Sequence, residues 1–183
     1  GYAANLQMVV DTNVYWSSDY LSTSTKTTNR SSLKGDGITM ARLVGANVAG
    51  MHAVAGNAPY LPDVPPINQF SGPDELKQGR CALAQPWLWV NHEGKRFFNE
   101  SRGAVFVDVY NAMTSAGGVL YTIFDQSMID DLINKGAVLP FNAIVLAGVP
   151  LKALPKTLEM GYERGWAFKA DTVKELAQQI GVP

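Results

Sequence analysis

The chain has 183 residues, of which 46% are hydrophobic and 17% charged, the values of an ordinary globular protein; they exclude intrinsic disorder and fibrous repeats. Lys and Arg number 15 against 16 Asp and Glu, a formal net charge of -1, so no basic excess exists to neutralise a phosphate backbone, which argues against nucleic acid as the main partner. One cysteine, Cys81, leaves no internal disulfide, no cysteine-based zinc site, no iron–sulfur cluster and no c-type haem attachment. The apolar runs are far shorter than a membrane span. The first residues lack the basic-then-apolar pattern of a secretory signal, which says little if the chain is an excised piece.

In chain order the pattern is mixed α and β. Residues 3–10 read as a short helix. Residues 11–33 are rich in Ser, Thr and Asn, and Tyr15, Trp16 and Tyr20 make them a long ordered loop with something to bury. Gly35-Asp36-Gly37 opens an apolar stripe of Ile38, Ala41, Leu43 and Val44, which predicts an amphipathic helix over 37–46 with Asp36 as its N-cap. Six of the ten prolines fall between residues 54 and 86, so this stretch reads as an extended crossing segment with a short helix from Pro73 to Gln78.

Trp87–Val90 reads as a strand, Asn91–Gly94 as a turn, and Lys95–Phe98 as the returning strand of a hairpin. Trp87 and Trp89, two apart, are expected on one buried face. Val119–Phe124 is almost wholly apolar and reads as a central strand. Asp125 caps a helix that Gly136 stops, and Pro155 starts another running to Glu163. Trp166–Lys169 reads as a short strand. Thr172 and Glu175 form a capping box, with Asp171 as an alternative cap, before a helix that Gly181 ends.

Chemical motifs are sparse. His52 and His92 are too few for a metal site, and His92 sits where an exposed turn residue needs no function. No GxSxG elbow, GxGxxG or P-loop occurs. Gly35-Asp36-Gly37 has two readings. Glycine admits close approach of a ligand to a helix start, where Asp36 could accept from a ribose or flavin hydroxyl; alternatively Asp36 is only a helix cap. The run Asn91–Glu100 (NHEGKRFFNE) is either an ordinary hairpin with a solvated basic turn or a device that places Glu100 or Arg102 at a cleft edge.

Five elements, in order and spread across nearly the whole chain, resemble the flavoprotein subunits of the fumarate reductase and succinate dehydrogenase superfamily. The nearest branch is the soluble bacterial one of flavocytochrome c fumarate reductases, urocanate reductase and 3-ketosteroid dehydrogenases. The elements are Gly1–Asn5, Lys34–Ile38 with Met40-Ala41 and Gly45-Ala46, Leu88–Asn91 with Gly94–Phe97 and Asn99-Glu100, Ile123–Asp125, and Lys169–Thr172 with Glu175–Ala177 and Ile180-Gly181. The resemblance implies an α+β capping (substrate-clamp) domain with a small remnant of an FAD domain. Residues 1–50 would be the trailing segment of the FAD-binding domain. Residues 51–183 would be the capping domain, incomplete at its C-terminal end.

It also implies FAD in the full-length parent, held in part by Gly35, Asp36 and Gly37, with none expected on the fragment, which should be inactive alone. A small-molecule substrate and the remainder of the FAD domain would be the partners. No membrane span is expected, and the compartment would be the cytoplasm or periplasm of a bacterium.

Three departures bear on the substrate. The family's His-Pro-Thr element is replaced by Ala53–Pro59, and its Thr-Glu pair by Gly79-Arg80. The position of its proton-donating Arg falls on Ala104, with Arg102 the near neighbour and candidate catalytic residue. A substrate other than fumarate, reduced by the same flavin chemistry, fits better. Two readings from other classes remain. One is a stand-alone binding module, for example for carbohydrate, using Trp16, Trp87, Trp89 and Trp166; the other is a purely structural interaction domain.

Overall fold

A computed structural model describes residues 2–14, 31–51, 56, 58–66 and 68–183. Most of the loop expected over 11–33 lies outside the described residues, as do Trp16 and His52. The chain divides into two compact units, Gly1–Gly56 and Asn57–Pro183. Among the described residues helices dominate and the sheet has two strands, so the architecture is broadly α+β.

The first unit carries α1 (Leu6–Thr12) and α2 (Asp36–Leu43). Asn5 caps α1, its side chain accepting from the Met8 N–H at 3.1 Å. The cap of α2 differs from expectation. It is Gly35, in the left-handed region at φ 89°, and Asp36 is the first helical residue with no side-chain cap bond. Glycine is required twice at position 35. A Cβ would lie 2.9 Å from the Tyr2 Cβ and 3.1 Å from the Met8 Sδ, and the positive φ disfavours any other residue. The helix ends at Leu43 rather than 46, because the chain turns through Gly45 at φ 90°.

In the second unit, α3 (Asn68–Ser71) and α4 (Asp74–Leu83) follow the proline-rich stretch. The helix at Pro73 is longer than expected: Pro73 stands just outside it as N-cap, and residues 74–83 hold no further proline. Two buried glutamines tie irregular backbone down. Gln69 accepts from the Leu61 N–H at 2.7 Å and donates to the Leu61 and Val64 carbonyls. Gln85 accepts from the N–H groups of Val138 and Leu139 and donates to the Cys81 and Leu139 carbonyls.

Strand β1 (Leu88–Val90) pairs antiparallel with β2 (Tyr121–Ile123), in the register Leu88 to Ile123, Trp89 to Thr122 and Val90 to Tyr121. Residues 95–98 do not form the expected strand. They contribute one isolated bridge, Val90 with Arg96, because Asn91 folds the turn on itself by accepting from the Glu93 and Lys95 N–H groups. Strand β2 is half-buried in a two-stranded sheet, not central. Trp89 is fully buried and stacks on Phe98, with ring centroids 5.4 Å apart. Trp87 precedes the strand and is half-buried against Phe124, so only Trp89 of the two is fully buried.

Helices α5 (Phe106–Ser115), α6 (Gln126–Asn134), α7 (Leu154–Arg164) and α8 (Val173–Ile180) complete the unit. Asp125 caps α6, Pro155 is the second residue of α7, and the Thr172–Glu175 capping box starts α8. Residues 166–169 form no strand. Gly165 ends α7 at φ 72°, and the chain folds back with the Trp166 and Ala167 N–H groups on the Gly161 carbonyl.

The main core joins Cys81, Ala82, Leu132, Phe141, Leu151 and Leu154. The Cys81 thiol is fully buried, and that burial pushes it up to about 12. Helices α4 and α7 touch through Gly79, where a Cβ would meet the Thr157 Cγ2 at 2.3 Å. Gly79→Ala should therefore force the helices apart and cost about 1–3 kcal/mol, the usual range for overpacking. An unchanged urea midpoint for that variant would contradict the close approach.

Candidate functional site

The first two family-like motifs come together in space. The Ala4 N–H donates to the Leu33 carbonyl at 3.2 Å, and the Asn5 side-chain amide donates to the Lys34 carbonyl at 3.1 Å. The Tyr2 hydroxyl donates to the Met51 carbonyl at 2.6 Å. These bonds hold Lys34-Gly35 against the start of α1, with Gly35 itself buried.

Past this anchor the surface is bare. Asp36 and Gly37 are exposed, and a Cβ on Gly37 would meet nothing within 4 Å. No residue of α2 is buried, and its apolar side chains Met40 and Leu43 are 67% and 81% exposed. The helix start thus offers free N–H donors, an acidic side chain in the first turn and, among the described residues, no obstructing side chain at Gly37. These features fit a group that approaches the backbone closely and carries hydroxyls.

The hairpin region is organised by Glu100, which sequence reasoning left between structural and functional use. Its carboxylate is buried, 4% exposed, and accepts from the Trp89 N–H at 3.2 Å and the Arg96 Nε at 2.8 Å. Burial alone would raise this carboxyl. The opposing hydrogen bonds from Arg96 and the backbone prevail and hold it below the usual carboxylate range. Glu100 is therefore not at a cleft edge; it fastens the turn to β1.

Arg102 does face outward, on the single 3-10 turn Glu100–Arg102 that Asn99 caps. Its Nε donates to Asp108 Oδ2 at 2.9 Å, and its Nη2 donates to the same oxygen. The two side chains are 58% and 36% exposed, so Asp108 orients the guanidinium without sealing it off. Ala104 follows, half-buried.

Gly79 and Arg80, standing where the family resemblance expects Thr-Glu, both have structural work. Arg80 is fully buried among the rings of Tyr60, Phe70 and Phe141, with its guanidinium carbon 3.8, 4.3 and 4.5 Å from their centroids. Its Nε donates to the Pro59 carbonyl at 2.7 Å. Burial pulls the guanidinium down to about 10, against the opposing effect of Tyr60. The sequence did carry a signal for this: Leu76, Arg80 and Leu83 lie on one face of α4, so the arginine sits in an apolar stripe.

Of the tryptophans proposed for a carbohydrate surface, the three among the described residues turn inward. Trp89 is fully buried, and Trp87 and Trp166 are half-buried. Among the described residues no group of His, Cys, Asp and Glu could hold a metal ion, and no helix is long and apolar enough to cross a membrane.

Acid should weaken the Glu100 arrangement in a defined direction. A carboxyl held below its unfolded value of 4.5 contributes stability that is complete above that pH and is lost as pH falls through the depressed folded value. Urea midpoints measured between neutral pH and pH ~3 should therefore fall more steeply for the native chain than for Glu100→Gln. Parallel curves would refute the assignment.

No family model and no solved structure matches the chain. Curated relatives do, among them two reductases. NADH:acrylate oxidoreductase of Vibrio harveyi is 30% identical over 184 aligned residues, which span 100% of this chain and 15% of that protein. Vinyl phenol reductase of Lactiplantibacillus plantarum is 28% identical over 159 residues, 81% of this chain and 30% of that protein. The chain therefore spans less than a third of the length of either relative. Both relatives are fumarate reductase-like flavoproteins, and the chain resembles a segment of that family, the one whose motifs its sequence carries.

Proposed function

We propose that the chain is part of a larger FAD-dependent oxidoreductase that reduces an activated carbon–carbon double bond. In this reading residues 1–50 complete the FAD domain and residues 51–183 form the cap over the substrate. The observation that carries it is the alignment of the entire chain with a reductase several times its length. The names of both relatives describe reduction of a vinyl or acrylyl compound, which agrees with the loss here of the residue pattern for fumarate.

FAD would supply the hydride when bound. The chain's own contributions follow from its geometry. Gly35 and Gly37 let the cofactor approach the start of α2, and the Asp36 carboxylate accepts from one of its hydroxyls. The exposed apolar side of α2 packs against the rest of the FAD domain. The cap excludes water from the reacting carbons, and Arg102, oriented by Asp108, holds the proton for the substrate at its guanidinium. The 183 residues alone would bind no flavin and turn nothing over, because a dinucleotide fold needs its phosphate-binding half.

In the full-length enzyme, Arg102→Gln should leave flavin content unchanged and lower kcat by about 10²–10⁴-fold, as loss of a proton donor does. Normal turnover in that variant would remove Arg102 from the chemistry. Asp36→Asn separates a ligand role from a helix-end role. In the isolated chain it should cost at most about 1 kcal/mol, the worth of one charge at a helix start. In the full-length enzyme it should weaken flavin binding by about 1–2 kcal/mol through loss of one charge-assisted bond. Unaltered flavin affinity would leave Asp36 as a helix-terminal residue only.

A further inference from the structure

The sequence holds a single Asp-Gly pair, Asp36-Gly37, and no Asn-Gly. The pair forms the start of α2, and both residues are exposed. Among the described residues the Asp36 carboxylate makes no hydrogen bond or ion pair. The first bond of the turn runs from the Thr39 N–H to the Gly35 carbonyl at 3.0 Å, so the Gly37 amide comes before every helical acceptor. A free carboxyl and a free amide therefore stand on adjacent residues, at the spacing of a five-membered ring.

The turn also opens easily. No residue of α2 is buried, so parting its first turn exposes no core. Gly37 has no side chain to restrict its dihedrals, and a Cβ there would meet nothing within 4 Å among the described residues. Asp171 is equally exposed, but the next residue is Thr172, whose branched Cβ crowds the amide nitrogen.

We propose that Asp36-Gly37 is a site of spontaneous aspartyl isomerisation, where the main chain re-routes through the Asp36 side chain. The Gly37 nitrogen attacks Asp36 Cγ. The amide proton and the carboxyl hydroxyl leave as water, and a cyclic succinimide closes. Water then adds at one of the two ring carbonyls. Opening at Cγ restores aspartate. Opening at the main-chain carbonyl leaves the Gly37 amide on Cγ and frees the α-carboxylate, which is isoaspartate. One water leaves and one enters, and no oxidant, reductant or flavin takes part. The product has one extra carbon in the main chain at the start of α2, and its carboxylate sits directly on Cα.

Trypsin isolates the two aspartates. Cleavage after Lys34 and Arg42 releases residues 35–42, with Asp36 as their only acid, and cleavage after Lys169 and Lys174 releases residues 170–174, with Asp171 as theirs. The full 183-residue chain is aged at neutral pH and physiological temperature, natively and in urea, and both peptides are followed by chromatography and mass spectrometry. In the native sample residues 35–42 should first yield a form lacking one water. An isomer of unchanged mass should follow, which accepts a methyl group from S-adenosylmethionine through protein isoaspartate methyltransferase. Residues 170–174 should stay unchanged over the same time. Gly37→Ala should slow the isomer several-fold, and Asp36→Glu should abolish it, since glutamate would need a six-membered ring. The native rate should lie within about tenfold of the urea rate, because a frayed helix end opens with a free energy near zero. A native rate further below the urea rate, or equal accumulation at Asp36 and Asp171, would overturn the proposal.

Discussion

The second unit is arranged around a positive charge that has no access to water. Desolvating a guanidinium costs several kcal/mol. At Arg80 the cost is offset by ring faces, each worth up to about 2 kcal/mol to a desolvated cation, by the Pro59 carbonyl and by Tyr60. Those rings come from separate pieces of chain: Tyr60 from the proline-rich stretch, Phe70 from α3, Phe106 from α5, where the contact is longer at 5.6 Å, and Phe141 from the loop after α6. A greasy core tolerates sliding, but a planar fork with directional donors does not. The guanidinium therefore sets where the irregular segments lie, and Gln69 and Gln85 extend the same principle by satisfying backbone that no helix or ladder serves.

What could be read from sequence was local. The Asp125 cap, the Thr172–Glu175 box and the glycine stop at 181 each depend on bonds within a few residues, and each is where the pattern placed it. What failed was non-local. The partner of β1 lies 31 to 35 residues on at Tyr121–Ile123, while the neighbouring run 95–98 is withheld by the Asn91 side chain. Trp166–Lys169 has strand composition, but its amides are claimed by the end of α7.

The candidate site was legible to the same degree. That a helix starts at Gly35-Asp36-Gly37 was visible. The shift of the cap from Asp36 to Gly35 was not, because it follows from the proximity of Tyr2 and Met8, more than 25 residues away in sequence. Glu100 and Arg102 were alternatives for the edge of a cleft. Only the fold shows that one of the pair is consumed by the Trp89 N–H while the other remains outward.

The lone thiol has a consequence of its own. Cys81 lies at the centre of the main core, with Gln85 and the Leu139 carbonyl beside its sulfur. A thiol held at about 12 carries almost no thiolate at neutral pH, and a fully buried one is out of reach of electrophiles and oxidants. Any covalent change at this sulfur must wait for α4 to part from the Phe141 loop. The sulfur therefore acts as an internal clock of core opening: its rate of modification measures how often the second unit breathes, and oxidative damage there is confined to molecules already partly unfolded.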